Sequence, residues 1–404
     1  MTKKKKKSNL KELKKKVETE QKQTLPLLLI IILAGFILRL IYLIETENSP
    51  FITNLYSDSK IYFDWAKNIS TSGNWLGDKI FFMSPGYPYF LAVIFSFFDD
   101  SIALIRIIQV IISSLNILVI FYIARYMFTR NTALLAATIS AIYSIFIFYS
   151  GAILSETLQT FFVSILLLLL VKPGDDNYKK WFLIGILLGV SALFRANILL
   201  FGIFLFPYIF LSKKICATIK SRMKLVLILY AGILLVILPV TLRNYVVGND
   251  LVLLTSNGGI NFYLGNNTNA TGIYNTPEGF DFFRDLAGEN FAKKITGKDL
   301  SPSETSAYWF GKGIEFITKE PFDAFKLTVQ KFFLFFDSDE NPPSFIMSPD
   351  FFRTNYSTLL KLPLPSFYII LILSLMGIVF AWREKKNYSV IYLFTISYII
   401  SVVI

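Results

Sequence analysis

The chain has 404 residues, of which 54% are apolar, 16% aromatic and 17% charged, with a mean hydropathy of +0.55. A soluble domain usually carries about a quarter charged residues, so this balance excludes a soluble or disordered protein and makes the bilayer the solvent for much of the chain. A single cysteine, Cys216, excludes an internal disulfide, and the lack of histidine excludes Ser-His-Asp triads, HExxH zinc sites and imidazole proton relays.

The formal net charge is +12, and residues 1–24 hold ten lysines against three glutamates. The basic excess is therefore a tail beside a membrane surface, not a nucleic-acid footprint. Residues 25–44 (LPLLLIIILAGFILRLIYLI) are long and apolar enough to cross roughly 30 Å of hydrocarbon, and Glu45 and Glu47 follow where a cleavage site would need small residues, so this segment reads as a signal anchor. Further spans are expected at 102–127, 131–149, 154–171, 180–194, 197–211, 224–241, 365–382 and 388–404.

Sidedness tests these spans. With the lysine tail inside, the connections around Arg125 and Arg130, Lys172 to Lys180, Lys213 to Lys224 and Arg383 to Lys386 all fall inside as well, as the positive-inside rule requires. Outside lie 45–101, the turns near Gly151 and Arg195, and the polar stretch 242–364. The run 85–98 (PGYPYFLAVIFSFF) has fourteen residues; counting it as a span would invert every later loop, so it is expected as an outer-surface or re-entrant helix. The expected organisation is a basic cytoplasmic tail (1–24), a membrane core (25–241) that includes the outer loop 45–101, an extracytoplasmic region (242–364) and C-terminal spans (365–404). Ile404 falls inside an apolar run with no polar flank, so a continuation of the chain is expected.

Several polar side chains sit where chemistry could be done. In LYSDSKIYFDWAKNI, Asp58, Tyr62 and Ala66 recur every four residues and share one helix face. A carboxylate on that face, just above the bilayer, can take a proton from a substrate hydroxyl or simply be solvated. Glu156, in FYSGAILSETLQTFF, is an ionisable group at the edge of a span, where a functional role competes with contact to headgroup water. Arg195 (SALFRANILL) and Arg243 (LPVTLRNY) lie at outer membrane faces, each able to grip a phosphate with a planar fork or to snorkel to headgroups. Arg39 and Arg106 read similarly. In the late outer stretch, Lys331 and Glu340 are further candidates.

In order, a signal anchor, D-x-x-x-Y-x-x-x-A (Asp58, Tyr62, Ala66), a P-G-Y-P helix, an outer S-E-T-L, F-R-A-N and P-x-x-x-R-N followed by N-G-G-I-N-F-Y-L-G-N-N resemble the GT-C membrane glycosyltransferases. The nearest branch is the dolichyl-phosphate-mannose protein mannosyltransferase and aminoarabinose transferase group. The similarity covers about residues 25–275. It implies an all-α polytopic membrane protein: a GT-C-like transmembrane helix bundle with outer-face juxtamembrane helices and an extracytoplasmic loop region. It also implies transfer of a monosaccharide from a polyprenyl-phosphate carrier to an acceptor on the extracytoplasmic side, in a plasma or inner membrane with the N-terminus cytoplasmic.

By position, Asp58 matches the family's catalytic acid in the first outer loop and Glu156 the acidic position in the second, while Arg195 and Arg243 resemble basic positions near the lipid phosphate. Lys331 joins them as a candidate phosphate ligand, and Tyr62, Tyr87 and Glu340 are expected to shape the acceptor side. Some relatives carry metal-ligating His and a Lys before the Pro-rich helix, where this chain has Met83-Ser84, so no cofactor is firmly implied and a divalent cation is left open. Expected partners are the lipid-linked donor, a protein, lipid or glycan acceptor, and the bilayer, with no nucleic acid. The alternative from another class is a transporter or flippase of lipid-linked sugars, which would place ionisable groups at mid-bilayer and show repeated halves.

Overall fold

The computed structural model describes residues 3–172, 177–211, 215, 218–273, 275, 280, 285–337, 348–383 and 388–404; Cys216 and Glu340 lie outside them. Among the described residues the fold is helical, with no strand. Helix α1 (Lys3–Glu45) carries the basic tail without a break into the first span. After the first span follow the short α2 (Pro50–Thr53), then α3 (Ser57–Ser72), which stops at Gly73 in the left-handed conformation, and α4 (Gly86–Phe97). At twelve residues α4 is too short to cross a bilayer. Its Tyr87, Leu91 and Ala92 bury against Tyr62, Ala66 and Ile69 of α3 and against Ile105, Leu158 and Phe194 of the bundle, so it packs beside α3 at one end of the bundle.

Helix α5 (Ile102–Met127) is a full span. The expected span 131–149 is instead two helices, α6 (Arg130–Ile142) and α7 (Ser144–Gly151), bent by 49° at Tyr143, whose backbone is extended. A break inside hydrocarbon frees carbonyls that need donors. Two buried arginines supply them. Arg39 of α1 donates to Ala141 O at 3.0 Å, Ser140 O at 3.3 Å, Gly35 O at 2.9 Å and Ser113 Oγ at 2.8 Å. Arg106 of α5 donates through Nε to Gly151 O at 3.0 Å and through Nη2 to Thr46 Oγ1. Gln109, one turn along α5, donates to Ser150 O at 3.3 Å and Ala152 O at 2.6 Å.

The apolar core then runs through α8 (Glu156–Val171), α9 (Tyr178–Phe194), α10 (Leu199–Leu211) and α11 (Ile219–Gly248), around Trp181, Leu188, Leu205 and Leu229. Helices α9 and α11 touch backbone to backbone: a Cβ on Gly185 would stand 2.1 Å from Leu229 O, so only glycine permits this crossing. Among the described residues three helices are long and apolar enough to cross a membrane alone, and the bent pair, taken as one span, makes a fourth; the other expected spans are shorter helices. Of these, α17 (Phe367–Arg383) presents Ile369, Ile372, Leu373, Met376 and Phe380 on its exposed surface, the composition of a lipid-facing wall, and α18 (Ser389–Val403) packs on α10 through Phe394 and Phe201.

The late outer region is built on the end of α11. Asn244 is fully buried; its amide donates to Val252 O and Leu254 O, both at 3.1 Å, and its oxygen accepts from Phe81 N at 3.3 Å. One side chain thus holds the segment after α11 and the segment before α4 together. From there α12 (Gly258–Gly265), α13 (Glu289–Thr296) and α14 (Pro302–Lys319) pack around Trp309, whose Nε1 donates to Gly288 O at 3.1 Å, and α15 (Pro321–Phe335) packs on α14 through Ala324, Leu327 and Phe316. Helix α16 (Pro349–Asn355) and the turn after it return to the first span, where the Glu45 carboxylate accepts from Ser357 Oγ at 2.6 Å and Leu359 N at 3.1 Å.

Candidate active site

A cavity of ≈ 2410 Å³ opens at one end of these helices, and Asp58, Tyr62, Glu156, Arg195 and Lys331 all line it. Five candidates separated by up to 273 positions are thus brought to one surface by four parts of the fold: α3, the start of α8, the residue after α9, and α15. Asp58 sits in the first turn of α3, and Glu156 in the first turn of α8, positions where a helix N-terminus favours a carboxylate.

The two acids are held differently. Glu156 Oε1 accepts from Arg195 Nη2 in an ion pair, and its Oε2 is buried with no hydrogen-bond partner among the described residues. Asp58 lines the same cavity without a hydrogen bond or ion pair among the described residues. Burial raises the Asp58 carboxyl above the usual carboxylate range, the Glu156 charge raises it further, and the Arg195 guanidinium opposes both. Tyr62, on the same face one turn on, is pushed up by burial and by the Asp58 charge, so its phenol stays protonated and can donate.

Lys331 is the third distinct environment. It is buried on the inner face of α15 with Ala324 and Leu327, and its Nζ donates to Asn266 Oδ1 at 3.1 Å. It has no carboxylate partner among the described residues, and burial alone lowers its pKa. A cation with spare N–H groups and no counter-charge, facing a cavity, is an anion site by its chemistry.

Two further candidates are not brought to the cavity wall. Arg243 donates through Nε to Leu76 O at 2.6 Å and through Nη1 to Asn244 Oδ1 at 2.9 Å, and its guanidinium stacks on the Phe81 ring at 3.7 Å. It fixes the loop before α4. Tyr87 lies one layer behind Tyr62, the rings meeting edge to face with centroids 5.4 Å apart, and donates to Gln109 Oε1 at 2.5 Å. Gln109 therefore joins the Asp58 side of the site, through Tyr62 and Tyr87, to the turn 150–155 that delivers Glu156. Sequence reading passed over Gln109, although a glutamine inside an otherwise apolar span was a visible signal.

The donor set was tested for a divalent cation. Among the described residues no group of three or more His, Cys, Asp or Glu side chains gathers anywhere. Four carboxylates line the cavity, Asp58, Glu156, Asp337 and Asp350; Glu156 already carries the positive charge of Arg195, Asp350 that of Arg353, and Asp337 accepts from the Tyr368 hydroxyl at 3.0 Å. These residues do not by themselves fit a protein-held metal.

An α-helical membrane bundle is the architecture that the GT-C resemblance implied. Residues 83–242 match the family model described as dolichyl-phosphate-mannose-protein mannosyltransferase. The match starts at Met83, takes in Glu156 and Arg195 and ends just before Arg243, so Asp58, Tyr62 and Lys331 lie outside it. Neither the curated proteins nor the solved structures compared gave a significant match. Over that stretch the chain resembles the GT-C membrane glycosyltransferases, and the match supports a multi-pass membrane glycosyltransferase in general.

Proposed function

We propose that the chain transfers a monosaccharide from a polyprenyl-phosphate carrier to an acceptor hydroxyl on the extracytoplasmic side, with inversion at the anomeric carbon. The observation that carries this reading is the cavity's pairing of one unpartnered, half-buried carboxylate, Asp58, with one buried and uncompensated cation, Lys331. Asp58 takes the proton as the acceptor oxygen bonds to the anomeric carbon, and the bond from that carbon to the phosphate oxygen breaks with its electron pair on the phosphate. The phosphodiester carries one negative charge and the departing phosphate approaches two, so Lys331, with the free N–H groups of Arg195, interacts more strongly with the transition state than with the bound donor. Glu156 holds Arg195 in place. The 242–364 region carries the acceptor, whether protein, lipid or glycan, and the N-terminal lysines stay cytoplasmic.

The transporter reading needs ionisable groups free to act within the spans. Arg39 and Arg106 are buried there, but they are occupied by the carbonyls of the broken span, which favours the enzyme. The test is reconstitution in proteoliposomes with polyprenyl-phosphoryl mannose and a mixture of glycoside and peptide acceptors. Release of free polyprenyl phosphate is expected. Transbilayer movement of intact sugar lipid with no release would establish the transporter instead.

A further inference from the structure

The segment Asn257-Gly258-Gly259-Ile260-Asn261 opens α12 on the cavity wall, and the proposed chemistry makes no use of it. Its two glycines are unlike. A Cβ on Gly259 would stand 1.8 Å from Ser306 O, so close packing on α14 demands glycine there. Gly258 also lines the cavity, but it has no positive φ, and a Cβ on it would meet nothing within 4 Å. Neither backbone conformation nor internal packing asks for glycine at 258; what its bare backbone leaves is room on the cavity side.

The flanking amides are set for a ligand. Asn257 occupies the N-cap position of α12, yet its side chain makes no capping bond. Its Oδ1 instead accepts from Thr255 Oγ1 at 2.9 Å, which leaves both N–H groups of that amide for the cavity. Asn261, four residues on and so on the same face, lines the cavity with neither end of its amide bonded among the described residues. Each amide can engage hydroxyls, Asn257 as a donor and Asn261 as donor and acceptor. The adjoining Phe262 ring on the same wall offers an apolar surface to the C–H face of a ring. Residues 255–262 carry no charged side chain, so this wall gives no counter-ion to an ammonium or a carboxylate on its ligand.

We propose that Asn257, Gly258 and Asn261 form a subsite for a neutral, hydroxyl-rich sugar ring: the two amides hydrogen-bond ring hydroxyls and Gly258 admits the ring against the helix. This deepens the glycosyltransferase reading and rests on it. The same chemistry would hold the donor's sugar or a glycan acceptor's.

The experiment measures binding of three probes to the full chain in nanodiscs: polyprenyl-phosphoryl mannose, sugar-free polyprenyl phosphate, and octyl mannoside. Loss of the neutral hydrogen bonds in the double variant Asn257→Ala, Asn261→Ala should weaken a sugar probe by about tenfold or more, with polyprenyl phosphate unchanged. Gly258→Ala should do the same with an unaltered melting temperature, because its methyl meets no protein atom. Weakening confined to polyprenyl-phosphoryl mannose assigns the donor's ring, and weakening confined to octyl mannoside assigns the acceptor's. If every variant binds both sugar probes like the wild type, or if polyprenyl phosphate weakens in parallel, the subsite is overturned while the transferase reading stands. If peptide transfer alone suffers, the wall holds a peptide and the proposal fails. Wild-type protein that binds sugar-bearing and sugar-free lipid alike, and no octyl mannoside, would overturn the transferase reading and the subsite with it.

Discussion

Replacing Lys331 with methionine keeps an unbranched, apolar stem of similar length and removes the charge. In the structure the ammonium spends one of its three N–H groups on Asn266 Oδ1 at 3.1 Å, leaving two for a phosphate oxygen. A hydrogen bond to a charged partner contributes about 1.5–3 kcal/mol, so the loss should weaken sugar-free polyprenyl phosphate by roughly 10- to 150-fold. The Coulomb attraction at about 4 Å with an effective dielectric constant near 20 sets a ceiling of about 4 kcal/mol. Stability should move little, for two reasons that offset each other. Burial lowers the Lys331 pKa, so the folded state bears a penalty for its charge at neutral pH that would vanish only above the folded-state pKa, and methionine removes that penalty. Against this, Asn266 Oδ1 loses its donor, a cost of about 1–3 kcal/mol. Titration of polyprenyl phosphate into nanodiscs, with a thermal melt of each variant, reads both quantities. Affinity within about twofold of wild type, in a variant with an unchanged melt, would refute the phosphate assignment.

Asp58→Asn should slow transfer at least about a hundredfold with donor binding retained, the low end for a general base. Because burial and Glu156 raise the Asp58 pKa, its ionised form costs the fold stability at neutral pH, a cost relieved as pH falls through the folded-state value; the Asn variant should therefore melt at a higher temperature, and a lower melt refutes the assignment. By the same sign, the acid limb of the wild-type kcat/KM profile should lie above the ordinary carboxylate pKa, and Glu156→Gln, which removes the like charge, should move it down. Arg243→Lys should lower the melting temperature by a few degrees, through loss of the Phe81 stack and the Leu76 bond, with donor affinity unchanged; weakened donor binding would return Arg243 to the phosphate site. Gln109→Leu leaves the Tyr87 hydroxyl and the Ser150 and Ala152 carbonyls without their partner, and should lower kcat while donor affinity stays within about twofold; unaltered kcat would show that the turn bearing Glu156 is held by other contacts.

The order of spans was legible because hydrophobic length and the placement of lysine and arginine are local properties of the chain. The short run at 85–98 was legible for the same reason: fourteen residues cannot cross, so α4 had to stay at one face. The break at Tyr143 was not. Residues 131–149 read as one apolar stretch, and the donor to the carbonyls beside the break, Ser140 O and Ala141 O, is Arg39, on a helix that hydropathy treats as a separate span. Pattern along the chain carries no information about which distant side chain will reach a freed carbonyl.

The same limit explains the arginines. In sequence, Arg39, Arg106, Arg195 and Arg243 are four isolated cations near membrane faces, and each admits the same two readings. The structure separates them by partner: two cap the ends of a broken span, one holds a loop through a carbonyl and an aromatic face, and one pairs with a cavity carboxylate. Only Arg195 of the four keeps N–H groups toward the cavity, which leaves Lys331, the least conspicuous candidate in sequence, as the cation there without a described counter-charge. The two acids divide in the same way. Arg195 pairs with Glu156, whereas Asp58 has no such partner among the described residues and stands beside a like charge, which together with burial raises its pKa. Which of the two acids the arginine reaches, and so which one we propose as the base, is set by where α9 ends relative to the start of α8 and is legible in neither sequence motif alone.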